Sequence, residues 1–159
     1  MSMFIKFDGV DGESMQKDYE GWIEITKCNM ASSAPPSTDL GSGSGVGKPT
    51  IHGFSFETVA GRHTPQLNMK YYMGEHFPTV TVVFLKQGGA SSADKYYELK
   101  MERVFISSMT NAKEEGSLGK EAITLSAETF RQEYFSQGGD GLLASVGATT
   151  YNNKTNEST

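Results

Sequence analysis

The chain has 159 residues, with 14 Lys and Arg against 19 Asp and Glu, a formal net charge of −5 and only 36% hydrophobic residues. That length suits one domain, able to bury roughly 70% of the surface its unfolded form exposes. The mild acidity argues against the basic stripe that a nucleic acid or an anionic membrane requires. One cysteine, Cys28, rules out an internal disulfide, and the sequence holds no CxxC or Cys/His cluster for structural zinc.

The first residues, Met1-Ser2-Met3-Phe4-Ile5-Lys6-Phe7-Asp8, lack the charged start, apolar run and cleavage site of a secretory signal. Synthesis in the cytoplasm is therefore expected, with any export following another route. The longest fully apolar run, Val82 to Leu85, is far short of the roughly 20 residues that span a bilayer. No membrane insertion is expected. Met3, Ile5 and Phe7 alternate with Phe4, Lys6 and Asp8, the pattern of a strand half-buried on one face. Tyr19 to Met30 reads as a long strand with apolar residues on both faces. From Ala31 to Pro49 the composition turns to Ser, Pro and Gly, which predicts a long loop of the functional or mobile kind.

Thr50 to Val59 alternates again and predicts a third strand. A helix over about residues 65–73 follows. Thr64 serves as its N-cap, Pro65 suits the first helical position, and Gly74 supplies the left-handed stop. So short a helix must dock on the sheets to persist. Strands are expected at Thr79 to Lys86 and Lys95 to Met109, then at Ile123 to Tyr134; the alternation changes phase at Val104 to Ile106, which implies a bulge or burial on both faces, and again near Glu128, which suggests a second bulge. Many strands, 18 glycines and one helix predict a mainly β fold, a two-sheet barrel or sandwich with one short flanking helix. Residues 1–147 form the expected domain, and 148–159 a polar, flexible tail.

Chemistry is thinly signposted. The Gly-rich loop is not a phosphate cradle, because Ser42 stands where the Walker pattern needs Gly, and Pro49 where it needs Ser or Thr. His52, His63 and His76 are too far apart in sequence for HxH or HExxH, and no G-x-S-x-G elbow exists. Carboxylate pairs occur at Glu98 and Glu102, Glu114 and Glu115, and Glu128 and Glu133, yet strand carboxylates interleaved with Lys ordinarily form a solvated, charge-paired face. Cys28 reads as a small core hydrophobe, and no cofactor, metal or catalytic residue is expected. Trp22, Met30, Tyr71, Tyr72, Tyr96 and Phe105 exceed what a small barrel interior needs, so interfaces between copies are a natural place for them.

Several segments carry a family resemblance: Met3-Phe4-Ile5-Lys6-Phe7-Asp8-Gly9-Val10-Asp11-Gly12-Glu13-Ser14, the Gly-rich loop ending Gly47-Lys48, and Phe54-Ser55-Phe56. Thr64-Pro65-Gln66-Leu67, His76-Phe77-Pro78, Gly88-Gly89 and Val104-Phe105-Ile106-Ser107-Ser108 follow in order, so that the set runs over about residues 3–137. The ordered set resembles the haemolysin-coregulated proteins (Hcp), inner-tube subunits of the bacterial type VI secretion system. The resemblance implies homohexameric rings that stack into a tube, a contractile sheath around it, a spike protein of the VgrG type above it, and small effector proteins bound in the lumen. It implies a protein cytoplasmic during assembly and then secreted, into the medium or a target cell, without a signal peptide. Contacts between subunits or rings are carried over to Ser42, Gly43, Ser44, Gly45, Val46, Gly47 and Lys48. The loop before the last strand, with Asn111, Lys113, Glu114, Glu115 and Ser117, is a candidate lumen lining, here more charged than the Gly/Ser-rich family version. Two other readings stand beside this one: a monomeric β-sandwich module binding carbohydrate or peptide through Trp22 and Tyr96, and an enzyme using Glu128 and Glu133.

Overall fold

The computed structural model describes residues 1–37, 45–87, 93–138 and 142–159. In chain order the elements are β1 (Ser2–Phe7), β2 (Ile23–Ser33), β3 (Pro36–Ser37), β4 (Gly45–Val46), β5 (Thr50–Val59), α1 (Thr64–Met73), β6 (Phe77–Gln87), β7 (Ala93–Ala112), β8 (Lys120–Gln137), β9 (Leu143–Asn152) and β10 (Glu157–Ser158). The expected mainly β architecture with one flanking helix is the one adopted. Antiparallel pairing runs from β1 through β2, β5, β8, β7 and β6 back to β1, closing a barrel. Closure removes the edges that an open sheet would expose along these stretches. Among the described residues no helix is long and apolar enough to cross a membrane.

The inward-pointing alternate residues fill the barrel. Ile5 and Phe7 of β1, Phe54 and Phe56 of β5, Leu99 and Met101 of β7, and Ile123 and Leu125 of β8 are all buried in one core. Phe7 meets Phe77 edge-on at 4.9 Å, a favoured aromatic geometry. The opposite face of β1 and β6 is also apolar, with Phe4, Val83 and Leu85 buried under Tyr19 and Trp22. The long strand expected from Tyr19 therefore starts later, at Ile23. Asp18 at φ 70 and Gly21 at φ 75 turn the chain, which folds Tyr19 over Phe4 with stacked rings and sets Trp22 against Tyr19.

The expected phase changes take an unexpected form. On β7 the buried series passes from Leu99 and Met101 to Val104 and Ile106, and on β8 from Ala127 to Phe130. Met101 stays paired with Phe130 and Val104 with Ala127, so both strands change phase together without a slip. Arg103 at φ 54 supplies the rotation of the pleat. The register shift lies between Ile106 and Ser108, close to the bulge expected on β7, whereas no shift occurs at Glu128.

Two corrections concern the helix and the C terminus. Thr64 is not the N-cap: His63 holds that position without a side-chain cap, because the Thr64 hydroxyl is engaged elsewhere. Gly74 does stop the helix, at φ 66, as expected. Residues 148–159 are not a loose tail. β9 pairs with β8 from Thr129 to Gln137, and β10 folds back on β9. The cause is length, since β5 covers β8 only from Lys120 to Leu125 and leaves the rest of that edge needing partners.

Candidate assembly surfaces

One wall of the barrel consists of β2, β5, β8 and β7 in that order. Its outward face is mostly small and polar, with Lys27 and Glu57 as charged neighbours of the Ser, Thr and Asn residues. Asn29, Ser55, Thr124 and Ser108 line a shallow depression of about 340 Å³, and Ser55 Oγ lies 3.0 Å from Thr124 Oγ1. The wall is unpaired at both sides. β2 meets β1 only at Ile23 to Ile25, and among the described residues no strand pairs with that edge from Lys27 to Ser33. β6 leaves β7 at Val104, so the outer edge of β7 from Phe105 to Ala112 has no described strand beside it. Because successive strands alternate in direction, β2 and β7 run oppositely. A β2 edge laid against another copy's β7 edge would thus form an antiparallel pair.

The sequence-predicted contact loop lies at one end of this wall. β2 and β5 run out together to the pair Ser33 and Thr50, and β3 pairs with β4 to prolong the arm. Within the predicted segment Ser42, Gly43 and Ser44 lie outside the described residues. Gly45 and Val46 form β4, Gly47 donates its N–H to the Pro35 carbonyl at 2.6 Å, and Lys48 is exposed. What reads as loop from Ala31 to Pro49 is thus partly a strand ladder. β2 continues to Ser33 because its partner β5 begins at Thr50.

The candidate lumen loop lies at the opposite end, where β7 turns into β8. Asn111 is the penultimate residue of β7, and Lys113, Glu114, Glu115 and Ser117 form the exposed connection. Ser117 N–H donates to Glu114 O, and Ala60 N–H to Gly119 O, tying the turn to the end of β5. The two predicted regions are therefore not brought together; they mark the two ends of one wall.

Helix α1 stands next to the free β7 edge. Asn111 donates from Nδ2 to Asn68 Oδ1 at 3.5 Å, and His76 rests on Phe105 with ring centroids 5.4 Å apart. Leu67 is the helix's one fully buried residue, while Met69, Tyr71, Tyr72 and Met73 are exposed. Of the large side chains singled out from sequence, Tyr71, Tyr72 and Phe105 lie on this surface. Trp22 packs in the second core under β1, and Tyr96 contacts Phe84 and Tyr134, so the pair proposed for a sugar or peptide platform is committed to separate packing.

A buried polar cluster fastens the helix to the wall and was not anticipated. His63 Nε2 lies 3.0 Å from Glu121 Oε2, and the Thr64 hydroxyl donates to Glu121 Oε1 at 2.5 Å. Gly61 N–H in turn donates to Thr64 Oγ1. Burial alone would raise the Glu121 carboxyl, but the hydrogen bonds from His63 and Thr64, with the His63 charge, hold it below its ordinary range. The signal was present in sequence, since Glu121 is in phase with Ile123 and Leu125.

The carboxylates proposed for catalysis do not converge. Glu128 and Glu133 are five residues apart on one strand, roughly 17 Å if extended. Glu128 faces Arg103 at 3.8 Å, and Glu133 faces Arg131 at 2.7 Å. The Arg131 hydrogen bond holds the Glu133 carboxyl below its usual range, opposite to what a general acid needs. Among the described residues no group of three His, Cys, Asp or Glu is placed to hold a metal.

Comparison with known proteins agrees with this geometry. The family model described as type VI secretion system effector, Hcp, matches residues 4–134. Protein hcp1 of Pseudomonas aeruginosa is 30% identical over 145 residues, covering 89% of this chain and 87% of the relative. A solved structure of a type six secretion system protein superposes with TM-score 0.87 at 23% identity over 99% of each chain. Hcp1 from Salmonella typhimurium superposes with TM-score 0.78 at 24% identity, covering 99% of this chain and 98% of that one. The chain belongs to the Hcp family, the structural tube proteins of the type VI secretion system.

Proposed function

We propose that this chain closes head-to-tail into a homohexameric ring and that rings stack into the inner tube of a type VI secretion machine. The observation that carries the reading is the pair of free edges, β2 from Lys27 to Ser33 and β7 from Phe105 to Ala112, at the two sides of one polar wall. Two different, complementary surfaces on each copy are what a heterologous ring requires. Main-chain hydrogen bonds between the edges would satisfy backbone groups that otherwise rely on water. Met69, Tyr71 and Tyr72 beside the β7 edge supply apolar area for the same contact.

With the edges joined, the small polar face of the wall lines the bore. Serine and threonine there favour passage and weak, hydrogen-bonded retention of small effector proteins over tight apolar capture. The arm with Gly45 to Lys48 projects from one rim and the loop with Asn111, Lys113, Glu114, Glu115 and Ser117 from the other, so stacked rings bring them face to face. The loop then forms the rim of the lumen. The spike of the VgrG type, the contractile sheath and the effectors are the partners of such a tube, and release through it needs no signal peptide. The role is mechanical, with no cofactor. Negative-stain microscopy and native mass spectrometry test the reading. Annular six-copy particles are expected, and deletion of Ser42 to Gly47 should weaken stacking while circular dichroism keeps the barrel signature. Lone protomers at every concentration would refute it.

A further inference from the structure

The β5 strand changes partners at Gly53. From Phe54 onward its outer edge pairs with β8, beginning at Leu125, but at Ile51 β8 has already moved away. The backbone of Ile51 would be left unmatched on that side. It is instead paired by a side chain. Asn153 accepts the Ile51 N–H on Oδ1 at 3.1 Å and returns Nδ2 to the Ile51 carbonyl at 2.9 Å, reproducing both bonds of a strand pair. Asn153 is itself fixed, since its own N–H donates to Glu128 O at 2.8 Å and Nδ2 also approaches Ala127 O at 3.5 Å. One turn of hairpin away, the Tyr151 hydroxyl donates to the carbonyl of Pro49. Both contacts fall at the root of the β2–β5 arm, on Pro49 and Ile51 just after Lys48, and span 102 positions of sequence.

We propose that the C-terminal hairpin is a strap that fixes the direction of the β2–β5 arm, with Asn153 and Tyr151 as its positioning residues. The role of that direction in contacts between copies rests on the reading above. An arm carried only by β2 and β5 is a two-stranded ribbon, which is marginal alone and free to bend where it leaves the barrel. Tying Ile51 to β8 through Asn153, and Pro49 to β9 through Tyr151, removes the hinge.

The test uses the full chain with Cys28→Ala, and spin labels at Lys48→Cys on the arm and Lys100→Cys on exposed β7. With doubly labelled chain diluted into excess unlabelled chain, so that a ring carries at most one labelled copy, a single narrow distance distribution is expected for the parent. Asn153→Ala should broaden it and raise hydrogen exchange at the Ile51 amide by roughly tenfold, as expected for loss of about one hydrogen bond. Val82 in the core should exchange at the parental rate. Tyr151→Phe, which removes one hydroxyl, should broaden it less, and carries the test if Asn153→Ala does not fold. An unchanged distribution in the folded variants overturns the strap. Because the distances are read on protomers, a chain that never assembles would refute the ring while leaving this measurement decisive.

Discussion

Replacing Glu121 with Ala probes the joint between helix and wall. The Glu121 side chain is 3% exposed and His63 4%, with 3.0 Å between Nε2 and Oε2. Truncation removes two hydrogen bonds at once and leaves an imidazole and a hydroxyl buried without an acceptor. Breaking a buried pair from one side costs about 3–5 kcal/mol. Here the first turn of α1 can open to water, so about 3 kcal/mol is the expected loss. Against the 5–15 kcal/mol that separates folded from unfolded domains, that is a large share. For a chain of this size it lowers Tm by roughly 6–12 °C. Glu121→Gln keeps an acceptor and should cost about 1–2 kcal/mol. Urea unfolding at pH 7, with unchanged slope, measures both. The pH dependence fixes the sign: the folded carboxyl titrates below its unfolded value near 4.5, so its contribution is full above that range and is lost as pH falls through the lower folded value. The gap between parent and Glu121→Gln should narrow below about 4, as the Glu121 carboxylate is protonated. A loss under about 1 kcal/mol for Glu121→Ala, or a gap indifferent to acid, would refute the reasoning.

Other substitutions separate folding from assembly. Gly53 has φ 147, and a Cβ there would stand 2.5 Å from the Leu125 carbonyl oxygen, so Gly53→Ala should cost about 2 kcal/mol in a thermal melt. Leu67→Ala removes the one side chain that α1 buries completely and should cost about 3 kcal/mol, with faster hydrogen exchange concentrated in residues 64–73. Tyr72 is 76% exposed, and Tyr72→Ala should leave Tm within about 1 °C while reducing the fraction of chain in rings by analytical ultracentrifugation.

The parts legible in sequence are those where one strand decides its own pattern. β5 from Phe54 onward and the first half of β8 each bury every second side chain, and α1 ends at Gly74 in the left-handed conformation. The parts that were not legible depend on a partner's length. Nothing in Leu143 to Asn152 is amphipathic, because both faces of β9 are largely open to water, and only the overhang of β8 makes it a strand. The change of phase at Arg103 was visible as consecutive apolar residues, but not that β8 would follow it in step. Glu121 could be placed inward by alternation, while its partners, 57 and 58 residues away, could not be found that way. The arm was read as a loop because Pro and Gly dominate it, although a ladder needs only backbone groups, which composition does not record.

The arrangement of contacts follows from what closure leaves over. A barrel sealed on every edge offers neighbours only side chains, whereas this one ends two pairings early, β1 on β2 at Ile25 and β6 on β7 at Val104. Those omissions fall on the same wall and expose strands of opposite sense, which is the complementarity that the proposed ring uses. Backbone pairing of this kind depends little on side-chain identity, which lets the wall's outward face remain small and polar without weakening the joint. It also demands rigidity, because an edge that twists cannot hold its register through a closed ring. The buried Glu121 cluster on one side and the Asn153 strap on the other both act on β8 and its neighbours, fixing the helix beside one edge and the arm beyond the other. Loosening the strap should therefore disturb assembly before stability, whereas loosening the Glu121 cluster should lower both.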